Sequence, residues 1–157
     1  MLKNFSRVNE PNATEITNPA FSFGRMWKRS QVDWAPNAKV LGAEQQRVNP
    51  IDFHDQAGIY VLLNGEQVVH ASRTAELGAS LYAHTRDGSN HWDHFTWIGM
   101  RPVEKTGELG QQPENIRSDD HLAHLYQAIL IIALNPPLNT AEDLDGLKLV
   151  EYVQSSR

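Results

Sequence analysis

The stretch Ala57–Thr74, AGIYVLLNGEQVVHASRT, decides how the rest of the chain is read. Gly58-Ile59-Tyr60-Val61-Leu62-Leu63 is a β-branched and aromatic run that stops at Asn64-Gly65, the residue pair best suited to a two-residue hairpin turn. Glu66-Gln67-Val68-Val69-His70-Ala71 then reads as the returning strand. Past it, Thr74 is placed to accept from the first free N–H groups of a helix, with Glu76 at the positive end of the helix dipole. The spacing predicts that helix over 75–84, with Ser80 and His84 four residues apart on one face.

Working outward, WDHFTWIGM over 92–100 has the aromatic content of a third strand, and the polar residues 104–118 read as a loop. Ser118 or Asp119 caps a second helix that ends at Leu134, because Asn135-Pro136-Pro137 cannot continue it. Its segment LYQAILIIAL, Leu125–Leu134, is apolar nearly all round, which predicts a central helix in which Gln127 is the polar exception. LKLVEYV, Leu147–Val153, reads as a closing strand. The fold class expected is therefore α/β: a small mixed β-sheet flanked by helices, over 49–157, preceded by an N-terminal extension, 1–48.

The 157 residues make one ordinary domain, and the absence of cysteine removes disulfides, thiol nucleophiles and thiolate ligands together. No apolar run is long enough to span a bilayer and the first fifteen residues lack a signal-peptide core, so a cytoplasmic protein without a membrane partner is expected. The net charge of -5 is unevenly spread. Residues 1–48 carry seven Lys and Arg against four acids, 49–101 three against six, and 102–157 four against nine. A phosphate-gripping surface must then be local, and the first third is where to look.

In that third, residues 1–20 have no periodicity and read as a mobile lead or an arm that lies on the surface. FSFGRMWKRSQVDW, Phe21–Trp34, follows and sets aromatics among Arg25, Lys28 and Arg29. Two readings stay open: an aromatic and basic nucleic-acid surface, or an extension that anchors itself to the core by its aromatic rings.

The order hairpin, helix, strand, central helix and then Pro136-Pro137-Leu138-Asn139 closely resembles the GIY-YIG nuclease family, over 56–139. FGRMWKRSQVDW and WDHFTWIG are similar to a bacterial subgroup with an N-terminal extension. The resemblance implies phosphodiester cleavage with one divalent metal, Mg or Mn, held by a glutamate of the central helix. A tyrosine or histidine assists the attacking water, and an arginine of the first helix steadies the phosphate charge. Carried over, Tyr60 matches the GIY tyrosine, His84 the histidine ending the first helix, and Asn139 the closing asparagine. The second triplet falls on His70-Ala71-Ser72, the arginine position on Ser80, and the glutamate position on Gln127.

A neutral amide is a poor ligand for a hard divalent cation, and losing one preorganised transition-state donor costs on the order of 10²–10³ in rate. The expectation is a catalytically silent relative that binds a nucleic acid (DNA or RNA), a nucleotide or a protein partner and needs no cofactor. The alternative is a working endonuclease, Mg- or Mn-dependent, with a rebuilt site in which Arg73 replaces the missing guanidinium. In either case Tyr60, His70, Ser80, His84, Gln127 and Asn139 are expected to line one concave site. His91-x-x-His94 with Asp93, and His121-x-x-His124, have the spacing of metal ligands or are ordinary surface and core histidines. Glu142-Asp143-Leu144-Asp145 mimics phosphates, holds calcium, or is a solvated turn.

Overall fold

A computed structural model describes residues 20–44, 49–88, 91–114 and 120–146, with the side chains of 120–122 excepted. Within it, strands β1 (Ser22–Lys28), β2 (Leu41–Gly42), β3 (Ile51–Asp52), β4 (Gly58–Asn64), β5 (Gln67–Thr74) and β6 (His94–Gly99) accompany helices α1 (Leu77–Ala83) and α2 (Asp120–Leu134). The expected closing strand at 147–153 and the lead at 1–19 lie outside the described residues.

β4 and β5 form the hairpin that the Asn64-Gly65 pair dictates; Gly65 turns the chain at φ 60°, a left-handed conformation that costs a glycine little. The Thr74 hydroxyl accepts from the Glu76 N–H at 3.0 Å in a turn just ahead of α1, but Glu76 and not Thr74 is the N-cap, without a side-chain cap, so the helix starts at Leu77, two residues later than expected. β6 returns antiparallel to β4 on the other side of the hairpin, and β1 adds beyond β6, giving the order β1-β6-β4-β5.

Two expectations need correction. The sheet is not mixed among the described strands: all three of its pairings are antiparallel. A two-residue turn joins β4 to β5, and the connection through α1 carries the chain past β5 to the far side of β4, so β5 and β6 run in the same sense without being neighbours. Nor is α2 enclosed by the described residues. It buries Gln127, Ala128 and Ile131, while Leu125, Tyr126, Ile129, Ile132 and Leu134 stay exposed, because one helix laid on a sheet covers only its inner stripe.

Successive residues of a strand point to opposite faces, and β4 is buried on both. On one side Tyr60 and Leu62 join Leu77 and Leu81 of α1 with Phe53, Trp92, Phe95 and Trp97 in the main core. On the other, Ile59 and Met100 receive Ala123 and Leu130 of α2.

Phe21–Trp34 is anchored on this core by its rings. Trp27 meets Phe53, Phe95 and Trp97 edge-on at centroid distances of 6.1, 6.0 and 5.4 Å. Trp34 stacks on Tyr82 at 6.5 Å. β1 reaches its partner through a bulge between Gly24 and Trp27, where Met26 takes φ 54°.

Candidate functional site

β4, β5 and α1 converge on one polar cluster. Tyr60 stands at the centre of β4, opposite Ser72 of β5 in the register. His70 lies two residues along β5 from Ser72, on the same face, its ring centroid 6.1 Å from that of Tyr60. α1 ends at Ala83 and delivers His84 from its C-cap, 4.6 Å from His70 between ring centroids.

The hydrogen bonds fix direction. Asp87 Oδ2 accepts from His84 Nδ1 at 2.8 Å, so His84 Nε2 is the acceptor that takes the Tyr60 hydroxyl, also at 2.8 Å. This makes a continuous chain from phenol to imidazole to carboxylate. Ser72 and Ser80 bring their hydroxyls to Tyr60, and Ser80 Oγ is 2.6 Å from Thr74 Oγ1. Ser80 thus holds its place by hydroxyl contacts where the resemblance implies an arginine.

Charge in the cluster is suppressed by burial. Tyr60 is 3% exposed, and desolvation first, with Asp87 and Asp143 adding, pushes its phenol up to about 12 despite the Ser72 and Ser80 hydroxyls. Desolvation, then the neighbouring His84, pushes His70 down to about 4 against the pull of Asp143 and Asp87. Both side chains are neutral at pH 7. They offer hydrogen bonds and a path for a proton, and no positive charge.

The His70 shift carries a sign that can be checked. The unfolded imidazole takes up its proton near pH 6.5, whereas the folded one resists until about 4. The neutral ring's contribution to stability is complete above pH 6.5 and is lost as pH falls from there to about 4, because the unfolded chain binds more protons in that window. Denaturant unfolding at pH 7 and pH 4.5 should show a smaller loss for His70→Gln than for the parent. Equal losses in the two proteins would contradict the assignment.

Asn139 does something different from its partners in the motif. Its amide forms a two-way bridge to the backbone of Ala71, Nδ2 donating to Ala71 O and Oδ1 accepting from Ala71 N, both at 2.8 Å. The Leu138 N–H meets Val69 O at 2.9 Å. Together they close the free edge of β5 as another strand would, since a side-chain amide repeats the donor and acceptor of a peptide. Asp143 completes the clasp, accepting from Asn139 Nδ2 at 3.1 Å and from the Thr140 N–H at 2.7 Å. The acidic cluster is therefore built into a capped 3-10 turn, Ala141–Leu144.

The remaining expected residues are dispersed. Gln127 is buried at 5% exposure in α2, on the stripe with Ala123 and Leu130 that meets the Ile59 side of the sheet. Among the described residues no hydrogen bond joins it to the Tyr60 cluster; of the six residues expected to share one site, Tyr60, His70, Ser80 and His84 are grouped. Arg73 is half-buried on β5, paired in register with Ile59. Arg25 and Lys28 are exposed on β1. Arg29 lies with its guanidinium 4.5 Å from the Trp92 ring and donates to Trp92 O at 3.3 Å.

Asp87 is the residue that sequence reasoning missed. Asp87-Gly88 reads as a loop signal, yet Asp87 stands three residues after His84, the spacing at which a helix end brings two side chains together. Of the paired histidines, His94 gives Nδ1 to Asp93, which also accepts the Gly65 N–H and so steadies the hairpin turn. The His121 side chain lies outside the described residues. Among those described, no three His, Asp or Glu side chains are grouped to hold a metal ion.

Gln127, at the position where the resemblance implies a metal-holding glutamate, offers a neutral amide, a poor ligand for a hard divalent cation. No described helix is long and apolar enough to cross a membrane. Comparison of the chain with protein-family models, with curated proteins and with solved structures finds no match.

Proposed function

We propose that this chain is a GIY-YIG nuclease-like domain with a neutralised cutting site, which binds nucleic acid without cleaving it. The observation that carries the reading is the Tyr60 to His84 to Asp87 chain, assembled with Ser80 at the position where the resemblance implies an arginine. Spacing supports it: Tyr60, His70, Ser80 and His84 are named by the motif and meet around one phenol. The site keeps its hydrogen-bonding groups and lacks the positive charge that stabilises a pentavalent phosphate.

A second reading, an active endonuclease with a rebuilt site, is favoured by Asp87. Behind His84 it completes a relay able to take a proton from water, which a purely vestigial histidine does not require.

Binding is testable through Arg25 and Lys28, the exposed cations of β1. Arg29, committed to Trp92, contributes less. In gel-shift titrations against salt, DNA or RNA affinity should fall steeply as salt rises. Arg25→Ala with Lys28→Ala should reduce the logarithmic salt slope by about 1 for each phosphate that the protein no longer neutralises. No shift with duplex, branched or single-stranded probes at low salt would overturn the nucleic-acid reading and leave a nucleotide or protein ligand. An unchanged slope in the double variant would place the surface elsewhere, with Arg73 next to be tested.

A further inference from the structure

We infer that the face shared by α2, β6 and β1 is an interface between two copies of this chain. α2 covers the β4 and β5 half of the sheet and leaves the β6 and β1 half bare, where Phe21, Phe23 and Ile98 are 41%, 67% and 46% exposed. Beside them α2 exposes Tyr126, Ile129 and Ile132 at 39%, 52% and 61%. These are one continuous patch: a groove of about 240 Å³ runs between Ile98 and Met100 on the sheet and Tyr126 and Ile129 on the helix, and Ile98 also lines the hollow beside Phe21 and Phe23.

Two features select a second copy as the occupant. The first is shape. An isologous interface requires one patch to carry both the knob and the hole, and here the protruding Phe23 stands next to the groove that would receive its counterpart. Along the helix, Leu125, Ile129 and Ile132 repeat at intervals of four and three, the spacing at which two like helices interdigitate.

The second feature is composition and area. From Leu125 to Leu134 no side chain is charged, so the helix half of the face offers a charged partner surface nothing to pair with, while Arg25 lines the sheet half at the hollow beside Phe21 and Phe23. The exposed parts of the six side chains amount to on the order of 600 Å², at the limit for the largest patch on a monomer and close to the roughly 800 Å² that each partner of a standard interface buries. Dimerisation through this face leaves the Tyr60 cluster free, because that cluster belongs to the opposite side of β4. The inference therefore does not rest on the Tyr60 cluster, though the face shares Arg25, which lines the hollow beside Phe21 and Phe23, with the proposed nucleic-acid surface.

Sedimentation equilibrium of the full chain at micromolar concentration is expected to give twice the 17.7 kDa chain mass. Ile129→Glu is expected to raise the dissociation constant at least about thirtyfold and leave the far-ultraviolet circular dichroism and the thermal midpoint of the dilute chain unchanged. Phe23→Lys, on a different element, repeats the test should a charge on α2 impair folding. A parent chain that stays monomeric overturns the inference. So does a dimer insensitive to both substitutions, which places the interface elsewhere. A monomeric Ile129→Glu chain with a lowered thermal midpoint also overturns it, by assigning the face to packing within one chain.

Discussion

Trp97→Ala is expected to lower the unfolding free energy by about 3–5 kcal/mol, the range for deleting a large aromatic from a packed core. Trp97 is 1% exposed, with its ring centroid 4.6 Å from Phe53 and 5.4 Å from Trp27. It therefore ties the β6 strand to the β1 anchor as well as to the main core. Its Nε1 has no hydrogen-bond partner among the described residues, so Trp97→Phe should cost less than half as much: it keeps most of the ring contacts and removes a buried N–H that gains nothing. Urea unfolding followed by circular dichroism decides. Equal losses for the two variants would show that ring volume is not what the core requires.

Gly58→Ala is the second large effect. A Cβ at this position would stand 1.9 Å from the carbonyl oxygen of Ile98, a backbone atom of the neighbouring strand that cannot rotate away. The strands must separate at the point where β4 pairs with β6, and a cost above about 3 kcal/mol is expected, at or past the usual range for overpacking. Gly65→Ala is the comparison: nothing lies within 4 Å of its Cβ, and only the left-handed φ is penalised, by about 1 kcal/mol. A Gly58→Ala chain as stable as Gly65→Ala would contradict the close strand approach.

Gly58 also shows what the sequence tells and what it hides. The hairpin is legible because the Asn64-Gly65 turn and the β-branched runs are local signals, and β4 and β5 lie within a few residues of where those signals put them. The end of α2 is legible for the same reason, from Pro136-Pro137, while α1 starts at Leu77 behind Glu76 and not at the Thr74 cap that the sequence suggests. β1 is not legible as a strand. Its partner β6 is some seventy residues distant, and the bulge at Met26 breaks the period of two that would reveal it. The sense of the sheet is hidden likewise, since strand direction is settled by pairings remote in sequence.

In the candidate site, the resemblance brings forward Tyr60, His70, Ser80 and His84. Neither the hydrogen bond to Asp87 nor the clasp of Asn139 on Ala71 follows from spacing. The first depends on how α1 ends, and the second on the path of the chain after α2 along the edge of β5. The position of Gln127 under the Ile59 side is a matter of how α2 rolls against the sheet, which a helix apolar nearly all round does not specify.

The central claim is that the groups around Tyr60 do not cut nucleic acid. Single-turnover incubation of the unmodified chain with duplex, branched and single-stranded DNA and RNA, with magnesium or manganese and a Tyr60→Phe control, tests it most directly. Under the proposed reading, Ser80 and Gln127 in place of an arginine and a glutamate, each loss worth on the order of 10²–10³, leave cleavage no faster in the parent than in the control. Metal-dependent cutting by the parent chain that disappears in Tyr60→Phe would contradict the account and establish the Tyr60 to His84 to Asp87 chain as a working catalytic relay.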